Sequence, residues 1–251
     1  MLPPKLLGPD DVTPVRARLG THPRLLVVVD HAAARVPSAL SNLGLSEAEL
    51  ERHIAWDIGA AEIARTLASH YRAQLLESAY SRLVIDPNRY PHDPSAMPLV
   101  SDGTAVPGNS DLSAAARHRR VEEIFRPYHA AIGTALDVLG AEGFLLSVHT
   151  MTDHPRNGDP RPEQIAVSWA ADRRSAIAAL DTLRRDKTLT LGDNTPYAID
   201  LGEDFTTPEH AVRRGLPHLQ VEVRQDLVAA PGPARDWAMR LVPAIDAALA
   251  I

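Results

Sequence analysis

The sequence contains no cysteine. That absence removes disulfides, thiolate metal ligands and cysteine nucleophiles together. Any metal must then sit on histidine, aspartate, glutamate and water. Aromatic residues make up 4% of the chain, so the core is expected to consist of leucine, valine, isoleucine and alanine. No apolar run approaches the roughly 18 residues of a membrane span. The opening MLPPKLLGPDD lacks the apolar stretch of a secretory signal. A cytoplasmic protein with no membrane partner is the expectation. The net charge is −6 and there is no basic stripe, which argues against a nucleic-acid partner. Nothing in the sequence fixes the oligomeric state.

What is present is core material. The chain has 251 residues and is 45% hydrophobic, enough for one large α/β domain. Short β-branched runs at 24–30, 73–78, 143–149, 164–169 and 218–224 read as strands. The segment SRLVIDPNRYP reads as a further strand running into a turn at Pro87. Helices are expected after Ser46, where Glu49 completes a capping-box pattern, and from about Asp57 to Tyr71. Others are expected over 111–139, ended by Gly140, over 173–185, near 207–215 and over 233–249. Residues 91–110 are rich in proline and glycine and form a long loop, usually functional or mobile in a compact domain. GDNTPY is turn chemistry. No repeat or linker interrupts the chain, so residues 1–251 read as one domain. Alternating strands and helices imply a largely parallel sheet covered on both faces.

Two of the strands stop on a histidine. RLLVVVDH ends at His31 and GFLLSVH at His149. A third, HLQVEVR, carries Glu222 between two valines. Open α/β sheets build sites at the C-terminal ends of their strands. Histidines and carboxylates delivered there are the parts of a zinc hydrolase. No nucleophile-elbow pattern surrounds Ser81 or Ser147, which disfavours a serine mechanism.

Seven segments, DHAAARVP, HIAWDIGA, YSRLVIDPNR, RPYHAAI, SVHTMT, GDNTPY and RGLPHLQVEVRQDL, occur in order over residues 24–228. Through them the chain resembles the N-formylglutamate amidohydrolase family. The resemblance implies a three-layer α/β/α fold with a mostly parallel mixed sheet, of the zinc carboxypeptidase-like kind. It also implies hydrolysis of a short N-acyl amide on an acidic amino acid, such as N-formylglutamate, a step of histidine degradation. One departure is visible: many relatives carry Ser-Asn two and three positions after the first histidine, where this chain has Ala33 and Ala34. The acyl group and amino acid therefore stay open.

With that resemblance, His31 and His149 are expected to ligate zinc, although another divalent ion would suit the same donors. Carboxypeptidase-like enzymes usually place a carboxylate ligand three residues after the first histidine, but Ala34 cannot ligate. Asp57, an acid in the apolar AWDIGA, is the substitute, with helix capping as its alternative role. Asp30 competes, although strand alternation turns it away from His31. Glu222 is the expected general base, facing a metal-bound water; pairing with Arg224 is its bland alternative. Arg89, with Asn88, is expected to grip a substrate carboxylate through a bidentate fork. Arg82, Arg35 and His210 are further substrate-binding candidates, and Asp86 is expected to orient one of these groups. Arg213, Asn194 and Tyr197 are weaker pocket candidates. His129 reads as packed or surface, and His53, His92, His118 and His154 carry no signal. The rival readings are a hydrolase of another N-acyl amino acid and a non-catalytic carboxylate-binding module on the same fold.

Overall fold

The computed structural model describes residues 5–170 and 173–251. Its strands are β1 (Val15–Arg18), β2 (Leu25–Val29), β3 (Gln74–Ser78), β4 (Val100–Ser101), β5 (Thr104–Ala105), β6 (Phe144–Met151), β7 (Ile165–Ser168), β8 (Leu191–Asp193) and β9 (His218–Arg224). Its helices are α1 (Glu47–Leu50), α2 (Ala60–Tyr71), α3 (Ala114–Arg120), α4 (Arg126–Leu139), α5 (Arg174–Leu183), α6 (Thr206–His210) and α7 (Pro231–Leu249). A π-helical turn, Val121–Phe125, joins α3 to α4 into one continuous helix.

Seven strands form one sheet in the order β1-β3-β2-β6-β9-β7-β8. The run β3-β2-β6-β9 is parallel. β1 joins β3, and β7 joins β9, in antiparallel fashion, while β8 is parallel to β7. β2 and β6 are buried along their whole length, as parallel strands covered on both faces must be. β4 and β5 make a separate hairpin inside the long loop.

Side-chain alternation sorts each strand into two faces. Leu25, Val27 and Val29 pack with Leu146, Val148 and the apolar stripes of α2, α5 and α7. Leu26, Val28 and Leu145 pack the opposite way, against Tyr128, Ile132 and Leu136 of α4. The result is three layers, with each buried Leu, Ile or Val worth ~1.5–3 kcal/mol. A third apolar cluster, including Leu43, Ile54, Tyr80, Leu83, Val84 and Ile85, lies where the chain runs on from β3. No helix among the described residues is long and apolar enough to cross a membrane.

The chain leaves β2 through α2 to β3 on one side, then returns through α4 to β6 on the other. Helices on opposite faces diverge at this reversal and leave a crevice beyond the C-terminal ends of β2 and β6.

Three local expectations change. Residues 81–90 form turns instead of a strand. Their backbone is claimed by the loops around them: Ser81 N donates to Arg35 O, Arg82 N to Ala55 O, and Asp86 N to Ala96 O. The apolar Leu83, Val84 and Ile85 fill the third cluster, so their hydrophobicity reports loop burial and not sheet pairing. α2 starts at Ala60 behind Gly59, so Asp57 lies before the helix and does not cap it. β6 continues two residues past His149 to Met151, because its pairing with β9 runs to Arg224.

Candidate active site

Three backbone segments converge on the crevice. His31 lies two residues past the end of β2, and Asp57 N donates to His31 O at 2.9 Å, which fixes the two residues side by side. The approach depends on Gly59, whose φ is +88°; a Cβ there would sit 2.4 Å from Val228 O. His149 comes from the neighbouring strand β6, in register with Glu222 on β9.

The two imidazoles meet on one carboxylate. His31 Nδ1 lies 3.2 Å and His149 Nδ1 2.9 Å from the same Asp57 oxygen, Oδ2. All three residues are buried, and one donor atom from each falls within 4.8 Å of the others. Each imidazole is held from behind. His31 Nε2 donates to Asp86 Oδ1 at 2.8 Å. His149 Nε2 lies 3.0 Å from Ser147 Oγ and 3.5 Å from Asp30 Oδ2. Carboxylates behind the Nε2 atoms fix the tautomer and leave Nδ1 as the donor, the usual second layer of a histidine metal site.

Charge is balanced tightly. Burial and the Arg82 guanidinium oppose protonation of His31, but Asp86 and Asp57 outweigh them and hold its pKa above the ordinary value. Burial likewise opposes charge on His149, and Asp30 and Asp57 reverse it, so its pKa lies well above the ordinary value. Burial disfavours the Asp57 carboxylate, yet His31 and His149 drive its pKa far below the usual range. A cation is therefore wanted here, either as protons on the imidazoles or as a metal replacing them.

Glu222 differs from the other acids. Its carboxyl is buried, and no described residue donates a hydrogen bond to it or pairs with it. Burial pushes its pKa up to about 7. Arg224, its expected alternative partner, pairs with Asp226.

These groups open onto a cavity of about 420 Å³, lined by His31, Asp57, Arg82, Asn88, Arg89, His149 and Glu222, a volume suited to a small ligand. Arg82 faces it but is engaged, with Nη2 at 2.6 Å from Asp86 Oδ2 and Nη1 at 3.6 Å from Asp57 Oδ1. Arg89 pairs with Asp204 and donates to Asn88 O. Asn88 lines the cavity, but its side chain is committed. Nδ2 donates to Asp204, and Oδ1 accepts from the N–H groups of Phe205 and Thr206 at the start of α6.

Two expected substrate contacts lie elsewhere. Arg35 is exposed and outside the cavity lining, because its segment turns outward after the histidine. His210 is buried and also absent from the lining. Its Nε2 donates to His129 Nδ1 at 2.9 Å, and His129 Nε2 donates to Pro87 O at 3.0 Å. This neutral pair props the 86–89 turn from beneath. Asp30, the competing ligand, accepts from Tyr128 and Thr206 and stands behind His149. Ala33 and Ala34 do not line the cavity, and Ala34 packs in the third apolar cluster. Sequence reasoning missed Arg161, Asp204 and Gln220 and gave His53 no signal, yet all four line the cavity; loops bring in Arg161, Asp204 and His53, while Gln220 lies on β9 two residues before Glu222.

The family model of N-formylglutamate amidohydrolase matches residues 23–229. The fold is similar to the crystal structure of a gene product from Agrobacterium tumefaciens, at 31% identity, TM-score 0.90 and 98% coverage of both chains. It is also similar to an N-formylglutamate amidohydrolase from Ralstonia eutropha JMP134, at 20% identity, TM-score 0.69, and 94% and 97% coverage of this chain and that one. The second likeness is one of fold. No curated protein sequence matches. By the family match over most of its length, a range that includes His31, Asp57, His149 and Glu222, the chain is an amidohydrolase and belongs to the N-formylglutamate amidohydrolase family.

Proposed function

We propose that this protein is a zinc-dependent hydrolase that cleaves N-formylglutamate to formate and glutamate. The observation that carries the reading is the meeting of His31, Asp57 and His149 beside the Glu222 carboxyl, which no described residue pairs with. Two imidazoles and a carboxylate are a donor set that zinc takes in hydrolases. The fit is supported by Asp86 and Asp30, which stand behind the Nε2 atoms and leave both Nδ1 atoms aimed at Asp57. An ion held by these three residues supplies a Lewis acid for the formyl oxygen and lowers the pKa of water to roughly 7.

The chain's own groups do the proton work. Glu222, with a pKa of about 7, is poised to take a proton from the attacking water as its oxygen bonds to the formyl carbon. The carbon–nitrogen bond then breaks, and Glu222 returns the proton to the departing amine nitrogen. The atoms balance as amide plus water giving formate plus glutamate. Arg89 offers its guanidinium to a substrate carboxylate, sharing it with Asp204. Asn88 acts behind Arg89 by holding Asp204 and the start of α6 in place.

The test is release of the free amino acid from N-formyl, N-acetyl and N-succinyl derivatives of glutamate, aspartate and neutral amino acids. N-formylglutamate should be cleaved best. A different best substrate would make the protein a hydrolase of another N-acyl amino acid. No turnover on any of them would leave a binding module.

A further inference from the structure

Three arginines line the cavity, and their charges are balanced differently. Arg82 is neutralised by Asp86 and Asp57. Arg89 is neutralised by Asp204. Among the described residues Arg161 meets neutral acceptors only: Nη1 donates to Thr152 O at 3.2 Å and Nη2 to Tyr197 Oη at 2.6 Å. Four further acids in the lining, Asp102, Asp200, Glu203 and Asp204, form no ion pair with it. Asp102 is instead paired with Arg52.

Arg161 is also held in place. Its N–H donates to Asp153 O at 2.8 Å, closing the loop that leaves β6. Its carbonyl accepts from Arg224 Nη1 at 2.9 Å. Its guanidinium lies over the Tyr197 ring, 4.6 Å from the centroid. A guanidinium carries five N–H donors, and the two contacts above leave the others for a ligand. A fork fixed before binding loses little freedom when a carboxylate arrives.

We propose that Arg161, backed by Tyr197, forms the subsite for the second carboxylate of a dicarboxylic N-acyl amino acid, and so sets the preference for acidic over neutral substrates. The proposal rests on the reading above that Arg89 takes the first carboxylate. A substrate derived from glutamate brings two negative charges into a cavity where Arg89 already shares its charge with Asp204. The unneutralised Arg161 supplies what the second needs. Tyr197 positions the guanidinium by stacking and by accepting one donor.

The experiment compares Arg161→Gln, Arg161→Lys and Tyr197→Phe with the wild type. The readout is the ratio of kcat/KM for N-formylglutamate to that for N-formylglutamine, with thermal melting and metal content as controls. In Arg161→Gln the ratio should fall about 10- to 100-fold, the worth of a charge-assisted hydrogen bond, mainly through KM for the diacid. Arg161→Lys should fall between the two. Tyr197→Phe should lower the ratio less than Arg161→Gln. An unchanged ratio in Arg161→Gln, or equal loss on both substrates, would overturn the subsite. If the wild type cleaves neither substrate, the catalytic reading fails and calorimetry with free glutarate decides the subsite. Binding that weakens at least 10-fold in Arg161→Gln supports it; equal binding, or none to the wild type, overturns it.

Discussion

His149 and Glu222 stand opposite each other in register on the adjacent parallel strands β6 and β9. One is saturated with partners, and the other has none among the described residues. His149 reaches Asp57 through Nδ1 and is backed through Nε2 by Ser147 and Asp30. Glu222, one strand away on the cavity wall, is a buried carboxyl to which no described residue donates. Burying such a group without a partner costs stability. The cost is understandable if the group must be free to trade a proton.

Replacing Glu222 by glutamine keeps the shape and removes the base. Turnover should fall by roughly 10²–10⁴-fold, the usual contribution of a general base. Metal content should stay at the wild-type level, and thermal stability should hold or rise. Turnover within a few-fold of wild type would reject the role.

The support behind the imidazoles should be measurable on its own. Asp86→Asn removes the charge that fixes His31 Nε2. Metal affinity, measured by competition with a chromogenic chelator, should weaken by about 10- to 100-fold. His149→Ala should abolish stoichiometric binding. Wild-type affinity in Asp86→Asn would show that His31 is oriented by something else.

Arg89→Lys retains the charge and loses the fork. Because Asp204 would still claim the ammonium, kcat/KM for an acidic substrate should drop about 10-fold or more. Equal cleavage of acidic and neutral formyl amides by the wild type would remove the acidic-substrate reading and leave the metal and base assignments standing.

The His129–His210 pair carries a pH signature. Burial first, and then His210, hold the pKa of His129 down to about 3. Burial and Arg214 hold that of His210 down to about 4. Both lie below the value of about 6.5 of an unfolded histidine. Between pH 6.5 and 4 the unfolded chain therefore binds protons that the folded chain refuses, and these imidazoles make stability fall as pH falls. The slope is at most roughly 1.4 kcal/mol per pH unit for each imidazole. Denaturant unfolding across that range should show a shallower dependence for His210→Gln, whose amide can still donate to His129. A slope identical to wild type would contradict the assignment.

The sequence carried the sheet better than the loops. β2 and β6 were legible because their apolar runs are nearly continuous, as strands buried on both faces require, and β9 because Leu219, Val221 and Val223 alternate with polar residues. His31, His149 and Glu222 stood out as polar residues inside or just after those runs. Asp57 was legible as an acid in apolar company, although its helix starts three residues later. The 81–90 segment misled, because loop burial and strand burial select the same residues. Asn88 looked like a substrate contact, but its amide is spent on Asp204 and α6. That commitment depends on a residue 116 positions away, which no local pattern reports. Arg161 escaped for the same reason, since its place is fixed by Thr152, Tyr197 and Arg224.

The central claim is that His31, Asp57 and His149 hold one catalytic zinc. Its most direct test is formate release from N-formylglutamate by protein stripped with a chelator and titrated with zinc. Turnover should vanish in the stripped protein and return in proportion to added zinc, with a break at one equivalent. The His149→Ala variant should show no such return. Full turnover in protein proven free of metal, or no turnover at one bound equivalent, would contradict the account.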